Sequence, residues 1–222
     1  MARPGGTGTS PPEAAEVTVV VVAGGDPPSP GEIARLPDRA VVVAADHGLD
    51  HAYAAGLEVA VAVGDMDSVS PEALSAAEQA GTRVECHPVD KDQTDLELAL
   101  EWAARLADRV IVIGAGGGRV DHLLGNLAVV ASPRWAGTDI EVWLGEARAV
   151  VAHGRRALEA EPGATVSLFA VGGPARVTTT GLAWSLRDEV LEPLSGRGVS
   201  NRVVDAPAYI QVSEGVVLAV LP

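Results

Sequence analysis

Five short runs of small and β-branched residues, each followed by a loop and a helix signal, constrain the fold of this chain more than anything else in it. They are Val17–Ala23, Ala40–Ala45, Val59–Val63, Thr82–Cys86 and Arg109–Ile113. Val17–Ala23 is nearly unbroken in its apolar character, the pattern of a strand buried on both faces of a parallel sheet. Helices are predicted from Asp46 to Gly56, from Pro71 to Ala80 behind a Ser70 cap, from Thr94 to Leu106 and from Asp121 to Ala131. Strands that alternate with helices in this way build an open, mostly parallel α/β sheet. The texture changes at Ile140. Strand-like runs then recur at Ile140–Leu144, Ala149–Ala152, Thr165–Ala170, Arg176–Thr180, Tyr209–Val212 and Val216–Leu221, separated by Gly and Pro turns. No long amphipathic helix follows Ala131, so this half reads as an antiparallel β-sandwich. The expected organisation is an α/β domain over 17–135 and a β-sandwich over 139–222, behind a disordered tail over 1–16.

Composition narrows what such a fold can do. Apolar residues make up 47% of the chain but aromatics only 3%, so Val, Ala and Leu must form the core. A net charge of −14 argues against a nucleic-acid surface, which needs clustered Lys and Arg. It leaves a nucleotide open, because Mg²⁺ can bridge carboxylates to phosphates. Cys86 is the single cysteine, which excludes an intramolecular disulfide and fits a reducing cytoplasm. Its place inside a strand run predicts a small core residue. Met1–Glu16 has no apolar stretch of the kind a signal peptide carries, and Val17–Ala23 is too short to span a bilayer. A cytoplasmic protein with no membrane partner is expected.

The chemistry-bearing residues fall in the loops after successive strands. Gly64-Asp65-Met66-Asp67-Ser68 places two carboxylates two residues apart past the third strand. Such a pair repels itself unless a cation lies between, and hard Mg²⁺ suits oxygen donors. His87–Asp95, after the fourth strand, packs Asp90, Asp92 and Asp95 around Lys91. Thr94 and Glu97 there form a capping box, which by itself accounts for Thr94. After the fifth strand, Gly114-Ala115-Gly116-Gly117-Gly118-Arg119 leads into a helix beginning near Asp121. Strand, glycine loop and helix start can cradle a phosphate with backbone N–H groups, although the sequence is neither a dinucleotide fingerprint nor a P-loop. Gly24-Gly25, past the first strand, could approach a phosphate in the same way. Asp46 and Asp121 could each simply cap a helix. His47 and His51 could share a helix face, but they lack the third ligand that zinc requires. In an open parallel sheet the ligand crevice lies at the carboxyl ends of the strands, where all these loops converge. Residue types and spacing thus point to Mg²⁺-assisted transfer from a nucleoside triphosphate.

The ordered set GDMDS, KDQTDLELAL, GGRVDHLLGN, GLAWSL and a final SN pair closely resembles the thiamine pyrophosphokinases. The resemblance implies an N-terminal α/β catalytic domain, a C-terminal sandwich that helps hold thiamine, and a homodimer with thiamine sites between subunits. The implied reaction is pyrophosphate transfer from ATP to thiamine with release of AMP. Matched residue by residue, it implies Mg²⁺ ligands at Asp65, Asp67 and Asp95, with Lys91, Asp92 and Thr94 beside the triphosphate. Gly24, Gly25, Asp46, Gly116, Gly117 and Arg119 join the ATP set. Asp121 falls near the thiamine hydroxyl, and Asn126, Ser200 and Asn201 toward thiamine. Trp184, of the GLxW element, is expected to be a core residue first. His47 stands where the family usually has a small residue, and Leu57–Val63 lacks the proline that often precedes the GD motif. Two other readings compete: transfer to a different small alcohol, and a non-catalytic sensor of thiamine or nucleotide.

Overall fold

The computed structural model describes residues 17–222, so the expected tail over 1–16 lies outside the described residues. Six parallel strands form one layer: β1 (Thr18–Val22), β2 (Val41–Ala45), β3 (Val59–Gly64), β4 (Arg83–Cys86), β5 (Arg109–Ile113) and β6 (Asp139–Leu144). Between them run α1 (Pro30–Arg35), α2 (Gly48–Ala54), α3 (Pro71–Ala80), α4 (Asp95–Leu106) and α5 (Val120–Val130). A 3₁₀ turn, Pro133–Trp135, carries the chain from α5 to β6. The strand order is β6-β5-β1-β2-β3-β4. The chain therefore winds outward from β1 to β4, crosses back to β5 beside β1, and continues the other way.

Side-chain alternation explains why β1 can be apolar throughout. Val19 and Val21 enter one core with Leu96, Ala99, Leu100 and Ala103 of α4, while Val20 and Val22 enter the core on the opposite face with Leu49 and Ala52 of α2. Leu106 closes the helical spacing of α4 in the sequence but is 43% exposed at the helix end. α1 starts at a Ser29 capping box closed by Glu32, a Ser-Pro-Gly-Glu signal present in the sequence.

The second half is built from β7 (Ala147–Ala152), β8 (Arg155–Leu158), β9 (Thr165–Ala170), β10 (Ala175–Thr180), β11 (Glu189–Leu191), β12 (Asn201–Arg202), β13 (Ala208–Glu214) and β14 (Val217–Leu221). All their named pairings are antiparallel, as expected for a sandwich. One feature differs from the spacing-based reading. The run at Ile140–Leu144, grouped above with the sandwich, pairs in parallel with β5 and is a sixth strand of the first sheet. β7 then pairs antiparallel with β6, and β14, β9 and β12 follow, giving one sheet of ten strands. A second sheet, β11-β10-β13-β8, covers the far end of it. β7 is the seam: Ala149 and Val151 face the α/β core, and Val150 and Ala152 face the sandwich core.

Cys86 is exposed, not a core residue. It ends β4, the outermost strand of the sheet, so its side chain meets solvent.

Candidate active site

The strand order reverses between β1 and β5, where the connections leave in opposite directions and open a crevice at the carboxyl ends. A cleft of about 700 Å³ lies there, lined by Gly24, Asp46, Thr94, Asp95, Gly116 and Asp121 among others. The loops after β1 and β5 are fastened to each other. The amide of Gly25 donates to the Gly114 carbonyl, and that of Asp26 to the Gly116 carbonyl, each at 2.8 Å. A Cβ on Gly25 would stand 1.9 Å from the Gly116 oxygen, so only glycine allows this approach. Gly25 thus spends its amide on the neighbouring loop. Among the described residues, no protein group accepts from the amides of Gly116, Gly117 and Gly118, which border the cleft. That is the donor arrangement an anion needs.

Acidic groups gather on the other side. One carboxylate oxygen from each of Asp46, Asp65 and Asp67 lies within 4.8 Å of the others. Asp46 sits at φ 46° at the end of β2, and its Oδ2 accepts from the Ser68 hydroxyl while its Oδ1 is buried with no partner. Lys91 donates to Asp65 Oδ2 at 2.9 Å. It also ion-pairs with the buried Asp95 Oδ1 at 3.1 Å. Asp65 and Asp95 therefore share one lysine, and among the described residues Asp46 and Asp67 have no ion pair. The Lys91 ammonium holds Asp65 below the usual carboxylate range, while the charge on Asp65 pushes Asp67 up. Burial raises Asp95 in spite of Lys91. Burial also pulls Lys91 down, but the carboxylates outweigh it and hold it above its ordinary value. The donor set fits a divalent cation: oxygens only, converging, short of positive charge, with Asp46 Oδ1 buried and orphaned.

Thr94 caps α4 through the expected box, its hydroxyl accepting from the Glu97 amide at 3.2 Å. Asp95 follows as the first residue of α4, and Asp92 is exposed on the loop before it. Asp121 lies in the first turn of α5, where it does not act as the cap; Arg119 holds that position. The Arg119 guanidinium forks onto Asp121, Nε to Oδ1 at 3.0 Å and Nη2 to Oδ2 at 2.5 Å. This pairing holds the Asp121 carboxyl far below the usual range. Asn126 donates to the Ala115 carbonyl at 2.9 Å, bracing the glycine loop from α5.

Ser200 and Asn201 do not line this cleft. Ser200 is exposed at φ 58° and donates its amide to the Ser167 hydroxyl. Asn201 is only 5% exposed and grips the backbone of Trp184 by both its N–H and its C=O. Trp184, expected in the core, is instead 63% exposed. Asn201 pins its backbone, and Trp184 lines a smaller depression with Arg187 and Arg197 among others. The sequence flagged Asp46 as a cap and an ATP residue but not as part of the acidic cluster; it follows β2 beside Gly64, next to Asp65, a juxtaposition set by the β2–β3 register.

The family model described as thiamin pyrophosphokinase, catalytic domain, matches residues 35–144. The model for the thiamin pyrophosphokinase vitamin B1 binding domain matches residues 156–217. This chain belongs to the thiamin pyrophosphokinase family. The thiamine pyrophosphokinase of Bacillus subtilis is 33% identical over 115 residues, which cover 51% of this chain and 54% of that protein. Thiamine pyrophosphokinase 1 of Oryza sativa subsp. japonica is 31% identical over 139 residues, 55% of this chain and 51% of that one. The chain thus spans about half the length of the curated relatives it matches. Among solved structures, the Geobacillus thermodenitrificans thiamin pyrophosphokinase superposes with a TM-score of 0.76 at 26% identity, covering 92% of this chain and 97% of its own. The Bacillus subtilis crystal structure, at 24% identity, shares the fold with a TM-score of 0.78 over 92% of this chain and 98% of its own.

Proposed function

We propose that this thiamin pyrophosphokinase family member transfers the pyrophosphoryl group of ATP to the hydroxyl of thiamine, yielding thiamine diphosphate and AMP. The observation that carries the reading is the cleft that the free amides of the glycine loop share with Asp46 and Asp95, the two carboxylates through which the cluster of Asp46, Asp65 and Asp67 and the Lys91 ion pairs reach it. The α/β half would hold ATP, and the sandwich half would present thiamine through Trp184, Ser200 and Asn201. Asn201 would act through Trp184, since its amide is spent on that residue's backbone.

A magnesium ion fits the oxygen set, with Asp65 and Asp67 as ligands, Asp46 or Asp95 completing the shell, and the orphaned Asp46 Oδ1 available. When bound, it would neutralise the triphosphate and the charge that develops on it. Lys91 adds a fixed positive charge beside Asp65. Gly116 and Gly117 would orient the phosphates through their amides, with Thr94 on the opposite rim and Asp92 on the exposed loop that leads to it. The thiamine oxygen attacks the β-phosphorus in line, the bond from that phosphorus to the α-phosphate bridging oxygen breaks, and AMP departs with the electron pair. Asp121 orients the hydroxyl and takes its proton. Its basicity is low while Arg119 is forked onto it; transfer of Arg119 to the triphosphate would restore it.

A homodimer is supported by apolar side chains left exposed on both halves, Val120 and Leu124 of α5 and Trp184, Leu194 and Val199 of the sandwich. Among the described residues no helix is long and apolar enough to cross a membrane, and we place the protein in the cytoplasm. The test is to incubate it with thiamine, ATP and Mg²⁺ and follow the products by chromatography. Equal amounts of AMP and thiamine diphosphate, lost on chelation, are expected. ADP with thiamine monophosphate would refute the attacked phosphorus, and binding of thiamine without turnover would make the protein a sensor.

A further inference from the structure

The cleft loops after β1 and β3 are both anchored to α2, and the anchors are two histidines. The imidazole Nε2 of His51 donates to the Gly25 carbonyl at 2.8 Å, and Nδ1 of His47 donates to the Ser68 carbonyl at 3.1 Å. A carbonyl can only accept, so each of these nitrogens carries the proton. The two rings meet edge to face with centroids 4.6 Å apart, so the two contacts share one support. Gly25 is consequently held through both of its backbone polar groups, its amide on Gly114 and its carbonyl on His51. Ser68 is held at its carbonyl by His47 and at its hydroxyl by Asp46. α2 can sit this close because Gly48 faces the end of β1, where a Cβ would stand 2.0 Å from the Val22 oxygen.

We propose that His47 and His51 are positioning residues that fix the spacing between the loop after β1, to which the glycine loop after β5 is fastened, and the carboxylate-bearing loop after β3. The inference rests on the reading that this cleft takes Mg²⁺-ATP. A nucleotide bridging the two loops must find them at a set separation, and slack in either is a cost incurred at binding. Neither ring needs to touch the nucleotide for this. The requirement is for a donor at a given reach, not for an imidazole: a glutamine amide reproduces Nε2 and an asparagine amide reproduces Nδ1.

The test is calorimetric titration of Mg²⁺-ATP into the wild type and into His51→Ala, His51→Gln, His47→Ala and His47→Asn, with kcat measured in thiamine. Each alanine variant should weaken ATP by roughly five- to tenfold, the worth of one hydrogen bond, with kcat and the thiamine KM within twofold of wild type. The Gln and Asn variants should recover most of the lost affinity. Alanine variants with unchanged ATP affinity would overturn the proposal, as would Gln and Asn variants no better than Ala. Equal losses for ATP and thiamine would mark general damage to the fold, and would overturn it too. Wild type that binds ATP without turnover would sink the proposed reaction and leave this comparison intact; wild type that binds no ATP would sink both.

Discussion

Asn201→Ala removes three hydrogen bonds at once. The side-chain Oδ1 accepts from the amides of Trp184 and Arg202 at 3.1 and 2.8 Å, and Nδ2 donates to the Trp184 carbonyl at 2.9 Å. Each is worth about 1 kcal/mol net, and a buried group left without a partner costs about 1–3 kcal/mol. Trp184 and Arg202 are both exposed residues, so water can recover part of the loss. A destabilisation of about 2 kcal/mol remains. In a chain of this size each kcal/mol moves Tm by about 2–4 °C, so the unfolding midpoint should fall by about 4–8 °C. The same cut frees the backbone that aims the Trp184 indole, so the thiamine KM should rise about tenfold, a loss of about 1.4 kcal/mol, while the ATP KM stays unchanged. Calorimetry and steady-state kinetics read the two effects separately. Trp184→Ala is the control: it should match the thiamine KM loss with little change in Tm, because the side chain is mostly exposed. A lowered Tm together with a wild-type thiamine KM would refute the reasoning, because Asn201 would then hold the fold without presenting a substrate-facing tryptophan.

Asp65→Asn should abolish turnover while leaving the melting curve near wild type, since the carboxamide keeps an acceptor for Lys91; retained turnover would remove Asp65 from the ion's ligands. Lys91→Met should lower kcat by about a hundredfold or more and also lower the Mg²⁺ concentration needed for half-maximal rate, because Asp65 and Asp95 would lose their shared cation. A magnesium titration of the variant checks both. Burial holds His153 below its ordinary value, and its Nε2 has no partner. The unfolded chain therefore binds the proton first as pH falls, and stability contributed by the neutral ring is full above about 6.5 and lost as pH drops toward the folded value. Urea midpoints of His153→Gln against wild type at pH 7.5 and 5 should show a shallower pH dependence in the variant.

The parallel half of the fold was legible because its strands are apolar on both faces and its helices carry their caps in the sequence: Ser70-Pro71 and the Thr94–Glu97 box stand where the residues put them. Position within the sheet was not legible. Cys86 reads like any residue of a strand run until β4 proves to be the outermost strand. The run at Ile140–Leu144 reads equally well as parallel or antiparallel, and only its pairing with β5 decides. At the site, the motifs placed Asp65, Lys91 and Asp95 together, and the ion pairs fall among them. Tertiary contacts were hidden. Nothing local says that Asn201 grips Trp184 from 17 residues away, or that Asp46 turns toward Asp65.

Because β6 and β7 pair within a single ten-stranded sheet, the two halves of the chain are not beads on a string. Cutting between them would bare a full strand edge on each fragment, a template for self-association. It would also strip Ala149 and Val151 of β7 of the apolar cover that they take from the α/β half. Neither fragment should be shuffled into another protein as an independent module. Co-expressed, the two should find each other by that same edge, which makes the β6–β7 turn at Gly145 the natural place to build a split, self-reassembling form of the protein.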